Sequence, residues 1–231
     1  MKFEHTQVFN FDGALRGMRN PLESWSKSDS NVDYVPYSKK WEMFEYDREN
    51  VEYVIGKNDL NLAQRLIRGG SEHRKWLRQV FVSVDITAPM YWWSEADTYS
   101  VGVTKNSTSK MHKLLSKSIT TDCFEMDDAT DFDKHLFERI IDTCESVRQM
   151  AVGYKDTGET DKYKECWKAL IRILPESWLQ TRTVTLNYEV VRNMVHQRKG
   201  HKLTEWNQFI DWAHTLPYAE ELIFFDGTEN S

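Results

Sequence analysis

The stretch that decides the fold is APMYWWSEADTYSVGVTKNSTSKMHKL, residues 88–114. It follows a segment, 79–87, in which Val80, Val82, Val84 and Ile86 alternate with more polar residues. That period of two predicts a strand with one buried face. Pro89 then suits the first turn of a helix, because the donor that proline lacks is unsatisfied there in any case. The predicted helix carries Tyr91, Trp92 and Trp93. As a triplet these aromatics suit a core, and a cleft wall if their helix lines one. Beyond it come polar residues rich in hydroxyl and amide groups, with Lys105 and Lys110 as cations.

Upstream of this unit, residues 2–11 read as an edge strand. Asp12 is expected to cap a short helix, 13–19, that stops near Pro21. Residues 22–40 are rich in Ser, Asp and Asn and read as a loop. Asp59 is expected to be an N-cap, followed by Leu60, Leu62, Ala63, Leu66 and Ile67 at helical spacing. Gly69 and Gly70 end that pattern. Downstream, residues 121–132 read as an acidic surface loop. Amphipathic helices follow at 135–150 and 162–173, an antiparallel hairpin of about 133–173 around a turn at 153–160. A third helix is expected over 184–198 and a fourth over 203–214, with 225–231 loose.

Bulk properties narrow the class. The chain has 231 residues, which suits one domain carrying a helical arm. Nine Trp, ten Tyr and eleven Phe supply a large aromatic core. The net charge of −6 removes an overall basic footprint for nucleic acid. No apolar run approaches the ~20 residues that span a bilayer, and the first residues show no signal pattern, so a cytoplasmic protein is expected. Cys123, Cys144 and Cys166 form no CxxC pair and are odd in number, which predicts free, buried thiols. His196 and His201 are five apart, a poor spacing for one metal, and no metal site is expected. The Asn106-Ser107-Thr108 sequon has no meaning in a cytoplasmic protein.

Two basic features stand out from the acidic background. Arg65, Arg68, His73, Arg74, Lys75 and Arg78 cluster in sequence. On the predicted third helix, Asn187, Val191, Met194 and Arg198 share a stripe, its ends about 16 Å apart. An Arg among core residues needs an anion, an internal carboxylate or an escape to the helix end. A phosphate site and a solvated face remain alternatives for both features.

Three segments resemble the flavin-dependent thymidylate synthases: residues 12–20, 58–114 and 172–215. The first holds Arg16 and Arg19 on a short early helix. The second holds His73, the strand ending in Thr87-Ala88-Pro89, and the gapless run to Leu114. The third holds Leu174-Pro175, Asn187, Asn193 and Arg198, with Glu205-Trp206 at the next helix start. The resemblance implies an α/β (α+β) fold, a central antiparallel or mixed sheet flanked by helices, with a helical hairpin. It implies a homotetramer and a site for a dUMP-like pyrimidine nucleotide, lined by Glu95, Asn106, Thr108, Lys110 and Arg198. His73, Asn187 and Asn193 fall at cofactor-binding positions for FAD. Methylenetetrahydrofolate and NADPH follow only if the protein is a C5 methyltransferase.

The sequence also departs from that pattern. Thr98, Tyr99 and Ser100 stand where the family has its flavin-clamping Arg-His-Arg. Glu189 replaces a flavin-binding Arg, and Lys75 and Arg78 replace a Thr and a Glu. On the nucleotide side the changes are milder, with Lys110 in place of a phosphate-binding Arg and Arg198 retained. The expectation is a nucleotide half that persists beside a flavin half that is lost or rebuilt, with Lys75, Arg78 and Lys105 as replacement cations. A non-catalytic nucleotide-binding protein is the alternative. A third reading is an interaction protein that borrows the fold and uses the acidic loop 126–133 and the hairpin as its contact surface.

Overall fold

The computed structural model describes residues 1–34, 51–109, 113–127 and 129–227. Of the expectations above, Lys110, residues 35–40 of the predicted loop and residues 228–231 of the tail lie outside these. The strands are β1 (Lys2–Phe9), β2 (Asn31–Tyr34), β3 (Val51–Val54), β4 (Phe81–Pro89), β5 (Thr104–Ser107) and β6 (Leu179–Asn187). The helices are α1 (Phe11–Arg19), α2 (Lys57–Arg68), α3 (Met90–Ala96), α4 (Asp131–Asp156), α5 (Thr160–Ile173), α6 (Tyr188–Arg198) and α7 (Thr204–His214). A four-stranded antiparallel sheet runs in the order β1-β4-β6-β5. A separate antiparallel pair sets Asn31 opposite Val54 and Tyr34 opposite Val51. The mixed α/β architecture with a helical hairpin is the one expected.

The described chain divides into two compact units. The first comprises Met1–His5, Val84–Ser100 and Thr104–Val184; the second comprises Thr6–Ser83, Val101–Val103 and Thr185–Ser231.

In the first unit β4 keeps the expected alternation, with Val84, Ile86 and Ala88 all buried. The intervening polar residues form cross-strand ties. Asp85 accepts a hydrogen bond from the Thr183 hydroxyl at 2.6 Å and lies 3.1 Å from the His5 ring. Thr87 and Thr181 share a hydroxyl contact of 2.7 Å. The hairpin forms as expected but its first helix is longer. Thr130 and Asp133 close a capping box ahead of α4, so the helix takes in residues assigned to the acidic loop. At its far end Gly153 lies within the helix, which runs to Asp156. Ile141 and Cys144 of α4 and Leu170 of α5 form one core cluster with Leu114, Ile119 and Phe124. Phe124 meets Trp178 and Phe137 edge-on, with ring centres 5.5 and 5.4 Å apart. All three cysteines are free; Cys144 is buried, whereas Cys123 and Cys166 are only half-buried, less than expected.

In the second unit Phe11 packs against Tyr53, Tyr188 and Tyr218 at 5.6–5.9 Å between ring centres. The Tyr188 and Tyr218 hydroxyls donate to the carbonyls of Pro217 and Tyr53. Five expectations are corrected. β1 stops at Phe9, because Asn10 takes the left-handed conformation that Asn tolerates and precedes α1. Asp12 therefore lies inside α1, where it pairs with Arg16 at 3.2 Å. Asp59 does not cap α2, which starts two residues earlier after an extended Gly56. Asp59 is instead wholly buried and accepts from Arg19 Nε at 2.5 Å. It also accepts from the hydroxyls of Ser28 and Ser30 and from the amides of Asp29 and Ser30.

The remaining two corrections concern the loop and the third helix. The predicted loop 22–40 contains β2 and a short helical turn at Trp25–Lys27. The predicted helix 184–198 is strand up to Asn187 and helix only from Tyr188. Thr183, Val184 and Thr185 are β-branched and continue the alternation of β6. Asn187 is thus the cap of α6, accepting from the Val190 amide at 3.1 Å, and not part of a helical stripe.

Candidate functional site

The candidate residues fall into two groups, one in each compact unit. Glu95, Asn106 and Thr108 belong to the first unit; His73, Asn187, Asn193 and Arg198 belong to the second.

The first group is built on α3, β5 and β6. Pro89 starts α3 in extended conformation, as expected. The first amides of the helix, from Met90 and Tyr91, donate to the carbonyls of Trp178 and Glu176 at 3.1 Å each. This satisfies donors that a helix start leaves open. Trp92 and Trp93 are buried and meet edge-on at 4.9 Å. Trp93 Nε1 donates to the Gln180 carbonyl at 2.9 Å. Tyr91 is half-buried and donates its hydroxyl to Glu125 at 3.1 Å. The aromatic triplet is therefore largely core.

Asp97 ends α3 and gathers two cations. Lys105 Nζ lies 2.8 Å from one carboxylate oxygen, and Arg182 Nη1 lies 2.9 and 3.0 Å from the two. Lys105 also donates to the Ala96 carbonyl at 3.0 Å, a favourable place for a cation at a helix C-terminus. The Arg182 guanidinium stacks 4.2 Å above the Trp93 ring. Burial alone pushes the Asp97 carboxyl upward, but the hydrogen bonds and charges of Lys105 and Arg182 hold it below the ordinary range.

The pair Asp97–Lys105 brings the end of α3, which bears Glu95, to β5, which bears Asn106. Thr108, just past β5, is fixed through its backbone. Its amide donates to the Thr181 carbonyl at 2.9 Å, and its carbonyl accepts from Gln180 Nε2 at 2.8 Å. Asn106 and Thr108 are exposed and Glu95 is half-buried.

The second group surrounds α6. Glu189 is 4% exposed and accepts from Arg74 Nε at 3.1 and 3.0 Å. Arg192, also buried, donates Nη1 to the carbonyls of Ile223 and Phe225 at 2.7 and 2.5 Å. Arg198 is half-buried, lies 4.6 Å over the Trp206 ring and has Nη1 3.3 Å from a His201 ring nitrogen. Asn193 is half-buried and His73 exposed. Asn187 has a structural duty as the α6 cap, and its amide lies 2.9 Å from where a Cβ on Gly102 would stand. The basic cluster at 65–78 is thus partly neutralised from within, by Glu189.

These residues do not fit a flavin held by a phosphate clamp. Thr98 turns its hydroxyl back to the Glu95 carbonyl at 2.7 Å, and Thr98–Ser100 carry no charge. Of the cations expected to replace the clamp, Lys105 is spoken for by Asp97, while Lys75 and Arg78 are exposed. Where the sequence resemblance expects a second flavin-binding Arg stands Glu189, which is buried and paired with Arg74.

Gln180, Arg182 and Asp97 were not singled out from sequence. The signal was present: in a strand, Gln180 and Arg182 share a face with Val184 and Leu186, and polar residues on a core face call for partners. Reading 184–198 as a helix concealed it. Among the described residues, no group of three or more potential metal ligands comes together, and no helix is long and apolar enough to cross a membrane.

No protein-family model matches the chain, and no curated protein matches it. Solved structures do. The flavin-dependent thymidylate synthase ThyX of Helicobacter pylori, crystallised with FAD and dUMP, superposes with a TM-score of 0.64 at 13% identity. The match covers 99% of this chain and 100% of that one. A second crystal structure of the Helicobacter pylori enzyme, also with FAD and dUMP, gives a TM-score of 0.64 at 14% identity over 98% and 99% of the two chains. At such identities the likeness is one of fold.

Proposed function

We propose that this chain binds a pyrimidine nucleotide of the dUMP type on a ThyX-like fold whose flavin grip has been dismantled. By resemblance, Glu95, Asn106, Thr108, Lys110 and Arg198 are the candidate nucleotide contacts. The observation that argues against a flavin grip is that cations in both groups are already paired within the chain. Asp97 holds Lys105 and Arg182, and Glu189 holds Arg74. Support for the nucleotide side comes from the full-length likeness of fold to an enzyme crystallised with dUMP. The whole chain acts as one domain and assembles as a homo-oligomer, a tetramer by resemblance.

Calorimetry with dUMP and, separately, with FAD tests this reading. The expected result is saturable dUMP binding, weakened about tenfold by Lys110→Ala or Arg198→Ala through loss of a charge-assisted contact. FAD is expected to leave no bound absorbance after gel filtration. Absence of dUMP binding by the intact protein would falsify the reading.

A second reading is favoured by the same likeness, since that enzyme was crystallised with FAD as well. In it the protein is a C5 methyltransferase that takes FAD, methylenetetrahydrofolate and NADPH. Bound flavin, together with methylation of dUMP on addition of the two co-substrates, distinguishes it from the first.

A further inference from the structure

We propose that Gln180 and Arg182 are positioning residues for the segment Asn106–Thr108, setting its exposed side chains for a nucleotide. The inference rests on the nucleotide reading of that segment.

Four side chains and one backbone carbonyl form a continuous chain of contacts. Thr108 O accepts from Gln180 Nε2 at 2.8 Å, and Gln180 Oε1 accepts from Arg182 Nε at 3.0 Å. Arg182 Nη1 binds Asp97, and Asp97 binds Lys105 Nζ at 2.8 Å. Lys105 and Thr108 lie three residues apart on one strand and its extension. The segment between them is therefore tied at both ends to one network. Its middle member, Arg182, is itself braced against the Trp93 ring.

The chemistry fixes the orientation of the Gln180 amide. Arg donates only and a carbonyl accepts only, so Oε1 must face Arg182 and Nε2 must face Thr108. Gln180 is 6% exposed, and turning its amide would leave two buried mismatches. The next β6 residue completes the hold, since the Thr181 carbonyl receives the Thr108 amide at 2.9 Å. Both backbone groups of Thr108 are thus engaged by consecutive residues of β6. Strand alternation sends Lys105 toward α3 and turns Asn106 and Thr108 to the other face, where both are exposed. Groups held in place before binding lose less freedom on binding.

The test uses the full chain and the variant Gln180→Met, which removes donor and acceptor at similar volume. Amide exchange of the peptide spanning residues 104–109 is measured without nucleotide, and dUMP affinity by calorimetry. The expected result is about tenfold faster exchange in that peptide, the loss of one buried hydrogen bond, with exchange in α4 and α5 unchanged. The dUMP affinity is expected to fall about five- to tenfold. Arg182→Lys keeps the charge beside Asp97 but loses the Nε donor, and gives a smaller change of the same kind if Gln180→Met does not fold. Unchanged exchange at 104–109 overturns the proposal. So does a loosened segment that binds dUMP as tightly as before. A wild-type protein that binds no dUMP overturns the nucleotide reading instead, whatever the exchange result.

Discussion

Arg74 Nε sits 3.1 and 3.0 Å from the two carboxylate oxygens of Glu189, which is 4% exposed at the first turn of α6. The Arg74 side chain keeps 20% of its surface in solvent, so water reaches one side of the pair. Removing Glu189 leaves a partly solvated cation near the buried Arg192, whose charge the Arg74 guanidinium already opposes. Glu189→Ala is expected to destabilise by about 1–3 kcal/mol, below the range for a fully buried pair. The double variant Arg74→Met, Glu189→Met should recover most of that loss. Urea unfolding of the wild type and the two variants checks it. A double variant no more stable than Glu189→Ala would contradict the assignment of the pair as self-neutralising.

Asn187 and Gly102 make a second, purely local prediction. Asn187 caps α6, and Gly102 has φ +73°, where a side chain is strained. A Cβ at 102 would also stand 2.9 Å from Asn187 Nδ2. Asn187→Ala is expected to cost about 1 kcal/mol, Asn187→Asp much less, and Gly102→Ala about 1–3 kcal/mol. If Asn187 is a cap and no more, Asn187→Asp leaves dUMP affinity unchanged. Thermal unfolding and calorimetry read the two effects separately.

How much of this was legible in the sequence depends on the kind of signal. β4 was legible because Val80, Val82, Val84 and Ile86 alternate without interruption. The hairpin was legible because Ile140, Ile141 and Val147 repeat at helical spacing. β6 was not, because its apolar residues, Val184 and Leu186, run into Val191 and Met194 and blend two periods. Asn187 marks the boundary, yet it reads equally well as a helix residue. The site divides the same way. Resemblance pointed to Glu95, Asn106 and Thr108 through a gapless local match. Asp97 could not be found like this, because Arg182 lies 85 residues away and pairing at that distance leaves no spacing rule. The burial of Asp59 escaped notice for the same reason, since Arg19 is 40 residues distant.

Glu145 supplies a pH prediction for the hairpin. Its carboxylate accepts from Arg148 at 2.6 and 2.7 Å, from the Ile119 amide at 2.8 Å and from Gln149 at 3.0 Å. The Arg148 hydrogen bonds do most to hold its pKa down at about 2, against 4.5 for an ordinary Glu. A pKa lowered by folding means stability that is fully present above 4.5 and lost as pH falls toward 2. The effect is about 2–3 kcal/mol, read as the difference between wild type and Glu145→Gln. The gap between the two proteins is expected to close between pH 4.5 and 2. A gap that persists at pH 2 would show that Glu145 works by shape and not by charge.

Asp59 carries the largest stability prediction. It is 0% exposed and sits at the centre of five hydrogen bonds, one from the buried Arg19. Desolvation favours the neutral acid, but the Ser30 and Ser28 hydroxyls and then Arg19 outweigh it and keep the carboxyl below its ordinary range. Arg19 has further acceptors in the carbonyls of Ser24 and Lys27, at 3.1 Å each. Those neutral groups cannot replace a counter-charge. Asp59→Ala therefore leaves a buried cation and orphans two serine hydroxyls, at an expected cost of about 3–5 kcal/mol. Asp59→Asn keeps one acceptor oxygen and should cost less. Because Ser28, Asp29 and Ser30 all bond Asp59, the loss should appear first as faster amide exchange at 28–30. Uniform acceleration across α1 and α2, with 28–30 no faster than the rest, would show that Asp59 supports the helices and not this turn.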